Sequence, residues 1–170
     1  MARNLSPKFN QYSKITNGVR EILYNIHKTP VRIPNVMGLD NPVIDMKTQV
    51  SAYNNKQHIA MYQDVDALSL QRYFNNYTKA KDTWRKYTPS DKKDIFLGAA
   101  NLIENKYYDK MLAYTIAGQN KNIYEAEIDA ICELVDFLRF NVAYADNIMT
   151  KQPLQTNDIK NISEYNPLNG

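Results

Sequence analysis

The 170-residue chain carries 21 basic and 18 acidic side chains, a formal charge of +3, with 44% hydrophobic and 23% charged residues. This is the composition of a globular protein long enough to bury one core, and the weak, scattered positive balance argues against a nucleic-acid surface. No run of about 18 apolar residues is present, which excludes a membrane-spanning helix, and a single cysteine, Cys132, excludes an internal disulfide.

From Pro7 to His27, Phe9, Tyr12, Ile15, Val19, Ile22, Leu23 and Ile26 recur at helical spacing, with Gly18 as an interruption. Arg3, Lys8, Lys14 and Arg20 precede the first acid, Glu21, a pattern compatible with a mitochondrial transit peptide as well as with this helix. Pro30, Pro34, Gly38 and Pro42 then punctuate an extended connector, because each proline removes a donor and restrains its predecessor. Residues 1–42 are therefore expected to form a helix and connector.

Residues 43–63 read as β structure. Thr48, Val50 and Ala52 alternate, Asn54-Asn55 supplies a turn, and Ile59 and Met61 alternate beyond it, which predicts a hairpin. From Asp64 the period becomes helical: Asp64 or Asp66 can cap a helix carrying Leu68, Leu70, Tyr73, Phe74 and Tyr77 toward Trp84. Thr88-Pro89-Ser90-Asp91 starts the next helix, with a capping hydroxyl, a proline at the first helical position and an acid at the positive end. That helix runs through Ile95, Phe96, Ala99, Leu102 and Ile103. A third spans Lys106 to Ala117, with Gly118 as a left-handed cap. The fourth, Asn122 to Met149, carries the stripe Tyr124, Ile128, Ile131, Val135, Leu138, Val142 and Ala145, and Pro153 cannot continue it. Residues 43–153 thus form a hairpin-plus-helix unit, and 154–170 a polar tail without evident packing.

The five glycines, Gly18, Gly38, Gly98, Gly118 and Gly170, are too far apart for a G-x-G-x-x-G turn or a phosphate-cradling loop. His27 and His58 make no metal signature. Tyr73, Phe74, Tyr77, Trp84, Tyr107, Tyr108 and Tyr114 interleave with lysines and arginines, but at helical spacing and among nearly as many acids. Helix packing is the better reading than single-stranded nucleic-acid binding.

Four ordered pieces carry a family likeness: TQVSAYNNKQHIAMY (48–62), the helix ending at Trp84, DIFLGAANLI (94–103) and EAEIDAICELVDFLRFNVAYAD (125–146). Together they resemble the N-terminal helical region of the aldehyde dehydrogenase superfamily, above all its delta-1-pyrroline-5-carboxylate dehydrogenase branch. The resemblance implies a mostly α fold with a small β hairpin, the truncated N-terminal part of an α/β, Rossmann-type subunit. It implies a parent reaction in proline catabolism, the NAD-dependent oxidation of glutamate semialdehyde to glutamate, and a mitochondrial matrix location, or the cytoplasm without a transit peptide. The family's cysteine nucleophile, general base and NAD contacts correspond to positions after Gly170, so no catalytic, cofactor-binding or metal residue is expected here. The chain is expected to be inactive alone and to bind no cofactor by itself.

Glu133 in CELVDFLRF matches a glutamate that lines the family's substrate tunnel, where a carboxylate attracts a substrate ammonium group or a water. Its spacing with Asp129 and Asp136 equally describes a solvated acidic face. Cys132 lies mid-helix beside Ile131 and Val135 with no histidine nearby, which predicts a buried, inert thiol. Besides an inactive relative, two readings stay open. One is an interaction module that docks on a full-length dehydrogenase or self-associates. The other is the N-terminal piece of an active enzyme with an incomplete gene model.

Overall fold

The computed structural model describes residues 4–8, 12–34 and 46–165. Gly38 and Pro42 of the expected connector, Phe9 of the first helix, and Pro167 and Gly170 of the tail lie outside the described residues. The element order is α1 (Tyr12–Lys28), β1 (Val31–Ile33), β2 (Met46–Val50), β3 (His58–Gln63), α2 (Ala67–Trp84), α3 (Pro89–Asn101), α4 (Tyr108–Gln119), α5 (Ile123–Glu127) and α6 (Leu134–Thr150). A π-helical turn, Leu102–Lys106, follows α3, and a second, Ile128–Glu133, joins α5 to α6. The fold is mostly helical with a small sheet, as the sequence implies.

The sheet has three strands in the order β1-β3-β2. The expected hairpin is present, β2 pairing antiparallel with β3 from Met46 opposite Gln63 to Val50 opposite His58, with a bulge at Gln49/Val50. A strand from the expected connector joins it: Val31–Ile33 runs parallel to Ala60–Tyr62. Pro30 and Pro34 flank those three residues without occupying them, so the ladder donors survive. The hairpin loop docks on the end of α1, where the Gln57 side chain donates to the His27 carbonyl at 3.0 Å.

Gly18 does not interrupt α1. A Cβ there would lie 2.2 Å from Oδ2 of Asp109, so the glycine permits the close approach of α1 to α4. The left-handed cap after α4 is Asn120, at φ 56° and ψ 31°, whose N–H donates to the Ile116 carbonyl at 3.0 Å. Gly118 lies inside the helix instead. An asparagine reaches this conformation at lower cost than most side chains, which explains the displacement of the stop.

The main core gathers Val19, Tyr108, Leu112, Ala113, Ala126 and Ile131, with Leu5, Ile22 and Ile103 packed against it. A second, smaller cluster joins Ile26, Ile59 and Ala117 and fastens the sheet to α1 and α4. The predicted stripe of the fourth helix holds at Ile131 and Val135, both fully buried, but fails at Tyr124 (54% exposed) and Ile128 (40%). The π turn is the reason: it breaks the 3.6-residue period on which the stripe was drawn. The aromatic set also divides. Tyr73 and Tyr108 are buried, whereas Phe74, Tyr77, Tyr107 and Tyr114 face solvent.

Residues 151–165 form no helix or strand, yet side-chain amides lace them together. Gln152 exchanges two hydrogen bonds with the backbone of Ser163 (3.1 and 3.0 Å), and Gln155 does the same with Asn161 (2.6 and 3.0 Å). Leu154, Ile159 and Ile162 stand exposed on this loop.

Candidate functional site

The helix that carries the candidate residues begins with a reciprocal cap. Asn122 accepts from the Tyr124 and Glu125 amides at 3.0 Å, and the Glu125 carboxylate accepts from the Asn122 N–H at 2.9 Å. Glu133 closes the π turn and is exposed, with Leu134 the next residue on α6. The expected acidic face is split. Asp129 pairs with Lys121, Glu133 points to solvent, and Asp136 is turned inward to accept the Leu5 N–H at 2.7 Å.

The carboxylate that the sequence reading missed is Glu127. It is fully buried and accepts the Lys8 N–H at 2.5 Å and the Tyr108 hydroxyl. An α-helical period leaves Glu127 about 80° from Val135, and the π turn between them brings it into phase with the core, so periodicity carried no signal for it. A buried carboxylate is tolerable only with donors of this kind, because desolvation otherwise costs several kcal/mol.

Cys132 is buried, and burial, reinforced by the nearby Glu127 and Asp136 carboxylates, pushes its thiol up to about 11. A thiolate nucleophile requires the opposite environment, and the burial expected for Cys132 is present. Across the helix, Arg139 donates to Glu104 at 2.5 Å, tying α6 to the first π turn in the most enclosed ion pair described. Among the described residues no group of three or more metal-ligating side chains gathers, and no helix is long and apolar enough to cross a membrane.

An apolar groove of about 370 Å³ opens between α3 and α6, walled by Phe96, Leu134, Phe137, Leu138, Val142 and Met149. Lys93 and Asp146 bridge it at 2.8 Å. The groove offers an apolar packing surface, with Lys92, Lys93, Asn141 and Asp146 as its polar lining.

A dinucleotide pyrophosphate binds where helix amides are free and the helix dipole is unopposed. At three helix starts a carboxylate already engages those amides. At the β3–α2 junction the Asp66 carboxylate accepts the Ser69 N–H at 2.6 Å, and that bond holds its carboxyl below the ordinary carboxylate value. Asp91 at α3, engaged by the Thr88 hydroxyl and N–H, is likewise held down, and Glu125 occupies the start of α5. Three helix starts therefore end in negative charge, which repels phosphate.

Comparison with known proteins gives the class. The model of the Aldehyde dehydrogenase family matches residues 45–170, and the chain belongs to that family.

The relatives narrow it. The chain is 37% identical over 145 residues, 83% of its length, to the Schizosaccharomyces pombe protein named Probable delta-1-pyrroline-5-carboxylate dehydrogenase, of which it covers 26%. It is 32% identical over 164 residues to the human mitochondrial delta-1-pyrroline-5-carboxylate dehydrogenase, covering 95% of this chain and 29% of that one. The crystal structure of the Mycobacterium tuberculosis enzyme bound with NAD superposes at a TM-score of 0.85 with 28% identity, over 92% of this chain and 30% of that one. The chain thus resembles delta-1-pyrroline-5-carboxylate dehydrogenases and spans between about a quarter and a third of their length.

Proposed function

We propose that this chain supplies the opening scaffold of a delta-1-pyrroline-5-carboxylate dehydrogenase-like subunit and that, alone, it does not catalyse the NAD-dependent oxidation of glutamate semialdehyde to glutamate. One observation carries the reading: the only thiol in the chain, Cys132, is buried in a helix with its proton held more tightly than usual. Thiolate attack on an aldehyde carbon requires an exposed, readily ionised sulfur. The acid-capped helix starts support the same conclusion for NAD. Within a complete subunit, Glu133 would supply a carboxylate for the substrate ammonium group, its exposure at the end of the π turn leaving it free to do so. The mitochondrial names of several relatives support a matrix location.

The test is direct. The purified 170-residue chain, mixed with glutamate semialdehyde and NAD, is expected to give no absorbance of reduced nicotinamide above the protein-free rate. Steady turnover that survives Cys132→Ser would overturn the proposed inactivity of the chain, and turnover abolished by that change would overturn the inert reading of Cys132 as well.

A second reading, docking on a full-length dehydrogenase subunit, rests on surface area. The chain exposes 12685 Å², whereas a compact monomer of 19.7 kDa exposes roughly 8,600 Å². The excess is larger than a standard interface buries, and the α3–α6 groove contributes an apolar wall to it. Co-purification with a full-length family subunit, lost on Phe137→Asp, is the expected outcome.

A further inference from the structure

The N-terminal segment and the second π turn meet through side-chain acceptors rather than through regular structure. Residues 4–8 have no regular structure, yet they are held at both ends by the same helix. The Leu5 N–H donates to Asp136 at 2.7 Å and the Lys8 N–H to Glu127 at 2.5 Å. Between these bonds Leu5 packs on the main core, and Pro7 biases Ser6 toward extended backbone. At the far end the Lys8 ammonium lies 4.2 Å from the centre of the Tyr108 ring, while the Tyr108 hydroxyl bonds to Glu127.

The two carboxylates could not do this from an uninterrupted α-helix. From Glu127 to Asp136 such a helix makes roughly two and a half turns at about 100° per residue, which sets the two side chains on opposite sides. The π turn Ile128–Glu133 lies between them and absorbs one additional residue. It returns Asp136 to within about 80° of Glu127, so both face one extended strand. Length agrees as well. Three extended residues reach about 10 Å, close to the roughly 12 Å rise of the helix between the acceptors.

We propose that the second π turn is a two-carboxylate clamp for residues 4–8, and that strap and π turn are one conformational unit: releasing the strap lets the turn relax and uncovers Cys132. The clamp joins the start of the chain to the turn that ends in Glu133, and so to the direction in which that side chain points. Cys132 lies inside the turn and feels the Lys8 charge, which makes it a built-in reporter.

The experiment uses the full chain and its single cysteine. Labelling of Cys132 by an aromatic disulfide reagent is compared in the wild type, Asp136→Asn and Asp136→Glu, alongside amide hydrogen exchange. In the wild type the Leu5 and Lys8 amides are expected to be protected. Asp136→Asn weakens a charge-assisted bond and is expected to speed exchange at both amides, and Cys132 labelling once normalised to the thiolate fraction from each variant's pH profile, about tenfold or more. Asp136→Glu, which keeps an anionic acceptor, restores part of the protection, and exchange at Leu112 and Ala113 in the core stays unchanged. Three results would overturn the clamp: unprotected Leu5 and Lys8 amides in the wild type, labelling indifferent to Asp136→Asn, or a loss of core protection that accompanies the faster labelling.

Discussion

Gly18→Ala sets helix propensity against packing, and the structure decides which prevails. In a free helix interior the change is worth about 1 kcal/mol in favour of alanine, because glycine loses more backbone entropy on folding. In this protein the new methyl group would lie 2.2 Å from Oδ2 and 3.1 Å from Cγ of Asp109. The carboxylate must move by more than an ångström at the α1–α4 contact, an overpacking penalty of about 1–3 kcal/mol. The expected net effect is a loss of about 1 kcal/mol. Asp109→Ala removes the obstruction, leaving only a Cβ 3.7 Å away, and in that background Gly18→Ala should stabilise by about 1 kcal/mol. The two substitutions therefore couple by roughly 2 kcal/mol. Urea unfolding monitored by far-ultraviolet circular dichroism, with Trp84 fluorescence as a second probe, measures all four corners of the cycle. A Gly18→Ala change that stabilises equally with and without Asp109 would refute the close-approach account and return Gly18 to an incidental glycine.

Two further outcomes follow from the caps and the same aspartate. Thr88→Ala removes the acceptor of the Asp91 N–H and the donor to its carboxylate, and should cost about 1 kcal/mol, a fall in Tm of roughly 2–4 °C for a chain of this size, with Thr88→Ser largely neutral. The pH dependence should carry two opposite signatures. Asp66 and Asp91 are depressed by their hydrogen bonds, so their stabilisation is complete above the ordinary value of 3.8 and lost as pH falls through the lower folded values. Asp109 is raised, by burial against the opposing pull of Lys8. The folded state holds that proton more tightly, and stability falls as pH rises from 3.8 through the raised folded value. Thermal unfolding from about pH 3 to 6 should show Asp109→Asn gaining on the wild type as pH increases, and parallel curves would contradict this.

How much was legible depended on whether the information was local. The hairpin was readable because alternation at Thr48–Ala52 and Ile59–Met61 brackets an Asn-Asn turn, and all of that signal lies within one stretch of chain. The Thr88–Asp91 cap was readable for the same reason. Strand β1 was not, since three residues between two prolines resemble a connector until β3 arrives to pair with them. Both π turns were invisible to a reading that assumes 3.6 residues per turn, and that assumption is why Tyr124 and Ile128 were placed inside while Glu127 was overlooked. The family was legible from ordered pieces of sequence. The role of Glu133 was not, because an exposed carboxylate spaced with Asp129 and Asp136 reads equally well as part of a solvated face.

The loop from Gln152 to Ser163 owes its shape to carboxamides, which are among the least durable groups in a polypeptide. Asn161 gives its side-chain NH₂ to the Leu154 carbonyl at 2.9 Å, and deamidation would replace that donor with an anion facing an oxygen. The loop would then loosen while every helix kept its place, so slow chemistry in storage could alter how Leu154 and Ile159 are presented without any unfolding to announce it.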